Sequence, residues 1–85
     1  MDIIKFANGE IHDCSLLTTY EGKTHIALAD VNIAEAAAIF SDPEKTAVME
    51  WGEYRLFDYT HLLMLTIQPY GIQATLTGGH DERIS

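Results

Sequence analysis

The residues best suited to metal or thiol chemistry lie near the start of the chain, where His12, Asp13 and Cys14 are consecutive and His25 follows. Metal ligands in proteins bond their ion at about 2 Å, so their donor atoms must lie within about 4 Å of a common centre. The strand pairing that this sequence predicts puts His25 opposite Thr18. His12 is then six residues further along the strand, roughly 20 Å away at about 3.3 Å per residue. We therefore expect no metal site and no cofactor.

Nucleophilic catalysis by Cys14 with His12 as its base is a second possibility that the spacing disfavours. Residues two apart on a strand point the same way, with Cα atoms about 6–7 Å apart, and no orienting acid and oxyanion hole accompany the pair. The sequence contains no G-x-S-x-G, glycine-rich phosphate loop or H-E-x-x-H motif. We predict that the protein is not an enzyme and has no catalytic residue.

The charge balance bears on the choice of partner. The 85 residues carry 13 acidic and 5 basic side chains, for a formal net charge of −8. Nucleic acids and anionic membranes are bound by clustered Lys and Arg, so we predict neither as a partner. The basic residues are scattered: Lys5, Lys23, Lys45, Arg55 and Arg83. An acidic inhibitor that mimics DNA and blocks a DNA-binding enzyme is the alternative that the charge suggests.

Cysteine usage and hydropathy predict a cytoplasmic protein. The single cysteine allows no internal disulfide. The first residues lack the basic start and apolar run of a signal peptide. The longest apolar run, 62–65, is far too short to span a bilayer.

Turn signals divide the first part of the chain into three strands. Asn8-Gly9 predicts a two-residue hairpin turn, because both of its central residues need positive φ. That register pairs Phe6 with Ile11 and Lys5 with His12. Glu21-Gly22 predicts a second tight turn between a strand over 10–20 and a strand over 24–29.

A short amphipathic helix follows these strands. Asn32 is a suitable N-cap, and Glu35 three residues later completes a capping box. Apolar residues then recur with helical spacing at Ile33, Ala36, Ala37 and Phe40. Asp42-Pro43 ends the helix, since the residue before proline avoids the α region. Phe40 is the only large aromatic residue of this stripe, and we expect it to be the main anchor of the helix.

The rest of the chain predicts a second group of strands. Residues 46–51 and 54–59 flank a Gly52-Glu53 turn, which pairs Glu50 with Arg55 and Val48 with Phe57. Residues 61–68 and 72–77 form the next hairpin, with Leu63, Leu65 and Ile67 on the same face as Ile72, Ala74 and Leu76. The sequence therefore predicts an α+β fold of antiparallel β meanders, about seven strands in a strongly curled sheet or small barrel or sandwich. One short α-helix lies in the middle of the chain. We expect one domain over residues 1–79 and a flexible C-terminal tail over residues 80–85.

One pattern between residues 26 and 77 points to a group of known proteins. It consists of Ile39-Phe40-Ser41-Asp42-Pro43-Glu44 with Thr46, then Tyr59-Thr60-His61-Leu62, and last Ile72-Gln73-Ala74-Thr75-Leu76. The pattern resembles that of small prophage-encoded proteins of Gram-positive bacteria, which are short, cytoplasmic and often encoded among phage structural genes. This chain differs in having Asp58 where those proteins usually have a glycine. The resemblance implies a phage origin and assigns no functional residue.

Apolar side chains on both faces of the second group of strands suggest an interaction function. A one-sided antiparallel sheet alternates apolar and polar residues, and a single helix of about ten residues covers only two or three strands. We therefore predict a non-enzymatic protein–protein interaction or assembly module, which binds itself as a homo-oligomer or binds another phage or host protein. The candidate interface residues are Trp51, Tyr54, Met49, Leu56 and Phe57.

Overall fold

A computed structural model describes residues 2–84 as one antiparallel sheet curled into a half-barrel, with two short helices. In chain order the elements are β1 (Asp2–Lys5), β2 (Ile11–Tyr20), β3 (Lys23–Leu28), α1 (Ile33–Phe40), α2 (Pro43–Thr46), β4 (Val48–Trp51), β5 (Tyr54–Phe57), β6 (His61–Gln68), β7 (Gly71–Thr77) and β8 (His80–Arg83). The strands are arranged in the order β6-β7-β3-β2-β1-β4-β5-β8. The mainly antiparallel, curled architecture is thus confirmed, with eight strands rather than about seven and two helices rather than one.

The core fills the inner side of the curl. Alternate residues of each strand point inward, and those of β3, β4, β5 and β7 are the most completely buried. Phe40 at the end of α1 has no exposed surface, and its ring meets the ring of Phe6 edge to face at 5.9 Å. The predicted N-cap of α1 is confirmed, because Asn32 and Glu35 form a complete capping box. Phe40 therefore joins α1 to the first hairpin.

The first hairpin differs by one residue from the predicted register. Lys5, not Phe6, lies opposite Ile11, and Ile4 lies opposite His12. The turn contains three residues rather than two, because the Phe6 N–H donates to the Glu10 carbonyl at 2.8 Å. This wider turn lets Phe6 enter the core, where only 2% of its surface is exposed.

The Asp-Pro pair that ends α1 also begins α2. Asp42 accepts a hydrogen bond from the Glu44 N–H at 3.0 Å, and Pro43 occupies the first turn of the new helix. Proline suits that position because its missing N–H would have no helical partner there. The strand predicted over 46–51 therefore begins only at Val48, and Thr46 is a buried helical residue. The predicted pairs of Glu50 with Arg55 and of Val48 with Phe57 are confirmed.

The predicted C-terminal tail contains a strand instead. β8 pairs with β5 along four residues, including Phe57 opposite His80, whose rings stack at 5.3 Å. Arg83 also forms an ion pair with Glu53, with an N–O distance of 2.9 Å. The sequence of β8 is too polar to be recognised as a strand, and its pairing depends on the curl of the sheet, which brings the chain back to β5. Ser85, the last residue of the predicted tail, lies outside the described residues.

Two short connections show how far the sheet curls. Residues 58–60 lead from β5 to β6, and Gly78-Gly79 lead from β7 to β8. Each connection therefore runs from strands at one edge of the sheet to strands at the other edge. The approach is close at Gly79, where an added Cβ would lie 2.1 Å from the Phe57 carbonyl oxygen. Asp58 has φ of +61°, a conformation that glycine adopts more readily than other residues. β5 therefore ends at Phe57, before the predicted end at Tyr59.

Candidate functional site

Cys14 and His12 lie two residues apart on β2, whereas His25, His61 and His80 lie on β3, β6 and β8. Cys14 is buried on the inner side, and burial raises the pKa of its thiol to about 11. His25 lies opposite Thr18, as predicted, and its Nδ1 is 3.0 Å from the Thr75 hydroxyl. The His12 Nε2 lies 3.5 Å from a Glu10 carboxylate oxygen. Within residues 2–84 no three His, Cys, Asp or Glu side chains are grouped as metal ligands.

The predicted interface residues divide between the core and the surface. Met49 and Leu56 have no exposed surface. Trp51 and Phe57 are partly buried, and Tyr54 is 38% exposed. The rings of Trp51 and Tyr54 are stacked with centroids 6.5 Å apart. A partner that reaches this hairpin would contact Tyr54, Trp51 and Phe57, while Met49 and Leu56 stabilise the fold beneath them.

A small cleft opens beside the Trp51 hairpin. It has a volume of about 170 Å³ and is lined by Leu17, Thr19, Trp51, Tyr54, Leu56 and Asp81. Ligand pockets in proteins usually enclose about 300–1,000 Å³, so the cleft is too small for most organic ligands. Burial, and secondarily the charge of Asp81, raise the pKa of the nearby Tyr59 hydroxyl. The Trp51 indole nitrogen and the Tyr59 hydroxyl are buried without hydrogen-bond partners among the described residues.

The two edges of the sheet differ in the features that control strand pairing. An edge strand exposes unpaired N–H and C=O groups, and proteins usually protect such a strand by shortness, charge, proline or a cover. β8 follows this rule, since it has four residues and three of them are charged. β6 has eight residues, with the sequence HLLMLTIQ, and contains no Asp, Glu, Lys, Arg or Pro. Among the described residues its strand pairing is with β7 alone.

Large apolar side chains of β6 are exposed to solvent. Leu63 is 50% exposed, Met64 56% and Ile67 72%. The predicted grouping of Leu63 with Leu65 and Ile67 is wrong at Leu63, because a bulge between Leu62 and Met64 puts Leu62 opposite Leu76. The bulge turns Leu63 out of the core and adds it to the exposed apolar surface. We call Leu63, Met64 and Ile67, together with the backbone edge that carries them, the β6 edge.

Charge is absent from the whole hairpin that carries the β6 edge. Residues 59–80 contain no Asp, Glu, Lys or Arg, and Asp58 and Asp81 are the nearest charged residues on either side. The chain has 18 charged residues, so a run of this length without any of them can be recognised in the sequence. This charge-free run is the sequence signal that indicates the β6 edge. The predicted interface lies instead around Trp51, at the other end of the sheet, because aromatic residues are concentrated there.

No helix among the described residues is long and apolar enough to cross a membrane. Comparison of the chain with protein-family models, with curated proteins and with solved structures finds no match.

Proposed function

We propose that this protein is a non-enzymatic interaction module that binds a protein partner through the β6 edge. The observation that carries the proposal is the contrast between the two edge strands. β8 has the shortness and charge that discourage pairing, whereas β6 is twice as long, uncharged and lined with exposed apolar side chains. A strand added to such an edge gains main-chain hydrogen bonds, and its side chains cover the exposed apolar residues.

The partner surface that fits this edge is an extended, apolar strand. Main-chain pairing is tolerant of sequence, so the neighbouring side chains provide the selectivity. At the β6 edge these side chains are Leu63, Met64 and Ile67, which favour uncharged, apolar neighbours. The Trp51 hairpin is a smaller candidate contact, because β8 and the Arg83–Glu53 ion pair border it.

We further propose that the module acts in the cytoplasm and derives from a phage or prophage. The cytoplasmic assignment is supported by the single cysteine, held as a buried thiol. The phage assignment is supported by the sequence pattern between residues 26 and 77. The DNA-mimic alternative has less support, because Glu10, Glu50 and Glu53 are each within ion-pair distance of a basic side chain.

Site-specific photocrosslinking in cells that express the protein tests the proposal without knowledge of the partner. A photoreactive phenylalanine analogue replaces Ile67 in one variant and Tyr20 in a matched control. The two positions are 72% and 73% exposed, but Tyr20 lies on β2, away from the β6 edge.

We expect a discrete crosslinked adduct from position 67 and none of comparable yield from position 20. The adduct's mass identifies whether the partner is a second copy or another protein. Equal yields at the two positions, or no adduct at position 67, would overturn the proposed function.

A further inference from the structure

We propose that the small cleft beside the Trp51 hairpin binds a free organic cation whose charged group is a quaternary ammonium. We call this cleft the Trp51 cleft, and its lining consists of Leu17, Thr19, Trp51, Tyr54, Leu56 and Asp81. These residues come from β2, β4, β5 and β8, and none of them comes from β6. The proposal is therefore independent of the protein contact at the β6 edge.

The lining of the Trp51 cleft combines two aromatic rings with one carboxylate. The Trp51 and Tyr54 rings are stacked with centroids 6.5 Å apart. Tyr54 is two residues from the fully buried Leu56 and shares its face of β5. Asp81 lies opposite Leu56 in the pairing of β5 with β8, and residues opposite one another on antiparallel strands point to the same side of the sheet. The Asp81 side chain therefore points to the inner side, where the two rings lie.

Charge selects a cation as the ligand of this cleft. Among the residues that the structure describes, no basic side chain forms an ion pair with Asp81. Arg83 lies opposite Tyr54 on β8, but its guanidinium pairs with Glu53 at 2.9 Å and it does not line the cleft. The net charge of −8 attracts cations to the whole surface. Asp81 adds a local negative charge at the one cleft where aromatic rings adjoin it.

A quaternary ammonium suits the lining better than a protonated amine or a guanidinium. Each N–H group of those cations needs an acceptor once it leaves water. Three of the six lining residues, Leu17, Trp51 and Leu56, have no side-chain acceptor. A quaternary ammonium has no N–H group, and its positive charge is spread over alkyl groups that pack against aromatic rings and leucine side chains. The cleft therefore favours the cation that needs fewest hydrogen bonds.

The volume of the cleft limits the size of this cation. The cleft measures about 170 Å³, and an apolar cavity of about 150 Å³ in another protein is enough to hold benzene. Tetramethylammonium has one non-hydrogen atom fewer than benzene, so it is of a fitting size. Tyr54 is 38% exposed and Asp81 is also exposed, so the cleft opens to solvent. A longer substituent on the nitrogen, such as the hydroxyethyl group of choline, can therefore extend outward.

An NMR titration of the isotope-labelled protein with tetramethylammonium chloride, at constant ionic strength, tests the proposal. The chain has a single tryptophan, so the indole N–H signal of Trp51 is a unique reporter inside the cleft. We expect this signal to shift saturably with a dissociation constant of about 1–10 mM, while the amide signals of β6 do not move. Choline is expected to bind likewise. The matched control ligand is the neutral isostere of choline, in which a tert-butyl group replaces the trimethylammonium group, and it is expected to give no saturable shift.

Two variants test the carboxylate, and a third tests an aromatic ring. Asp81→Asn is expected to weaken tetramethylammonium binding about fivefold, because it removes the opposite charge. Glu82→Gln is the matched control, since it removes the same charge from the next residue of β8. Glu82 lies opposite Arg55, on the other side of the sheet, so this variant is expected to bind like the wild type. Tyr54→Leu is expected to weaken binding about threefold. All three positions are exposed, so we expect the variants to fold.

The outcomes decide between a cation site and a merely apolar cleft. The proposal is supported if both ammonium ions shift the Trp51 signal saturably, the neutral isostere does not, and only Asp81→Asn of the two charge variants weakens binding. It is overturned by the absence of a saturable shift up to about 50 mM, by equal binding of the neutral isostere, or by equal effects of Asp81→Asn and Glu82→Gln. Photocrosslinking at position 67 measures the β6 edge separately, so failure of either proposal leaves the other standing.

Discussion

Gly71 is the position where a single added methyl group should most clearly disturb this fold. It begins β7, directly after the turn that positions the β6 edge, and its φ is +139°. A Cβ at this position would lie 2.1 Å from the Leu28 carbonyl oxygen and 2.8 Å from its carbonyl carbon. Both atoms belong to the backbone of β3, so neither can turn aside as a flexible side chain would.

Two costs combine in Gly71→Ala. An unfavourable φ costs about 1–3 kcal/mol, and forcing extra volume into a packed site costs about 1–3 kcal/mol more. The total of about 2–6 kcal/mol compares with a free energy of unfolding of roughly 4–13 kcal/mol for a domain of 85 residues. Since 1 kcal/mol corresponds to about 4–8 °C in a small domain, Gly71→Ala should lower the Tm by about 8 °C or more.

Gly52→Ala is the matched control, because Gly52 also has positive φ, +57°, but a Cβ there would meet nothing within 4 Å. It bears only the conformational cost of about 1–2 kcal/mol. Urea unfolding at low protein concentration measures the free energy of unfolding of both variants. The transition is followed by the fluorescence of the single tryptophan, Trp51. Equal losses of stability in the two variants would refute the close approach of β3 and β7 at Gly71.

Three further predictions concern the core, the thiol and the C-terminal strand. Phe40→Ala should cost about 3–5 kcal/mol of unfolding free energy as a fully buried large-to-small change, whereas Ile33→Ala, at a half-exposed position of the same helix, should cost much less. An unchanged Tm in Phe40→Ala would show that α1 does not dock through this ring. The raised pKa of Cys14, about 11, favours the neutral thiol in the folded state. The stability that this buried thiol contributes is therefore fully present below the ordinary thiol pKa. That contribution is lost as the pH rises through about 11. Unfolding free energies of wild type and Cys14→Ala should therefore converge or cross between about pH 9 and 11, and parallel curves would contradict this. Deleting residues 80–85 should lower the Tm, because β8 pairs with β5 along its four residues; a flexible tail could be removed without effect.

Local sequence signals determined the elements that depend on neighbouring residues. Asn32 and Glu35 located the start of α1, because a capping box is made within four residues. The turns at Glu21-Gly22 and Gly52-Glu53 set the registers of their hairpins, including the Glu50–Arg55 ion pair at 2.8 Å. The acidic net charge of −8 is likewise a property of the sequence alone.

Contacts between distant parts of the chain decided the rest. The wide turn after β1 exists because Phe6 is drawn into the core beside Phe40, more than thirty residues later. β8 is a strand because the curl brings His80 to Phe57, and nothing in its polar sequence indicates pairing. The burial of Met49 and Leu56 and the exposure of Leu63 and Ile67 follow from the same curl and from the bulge in β6. Strand alternation fixes which residues share a face, but only the tertiary arrangement decides which face is covered.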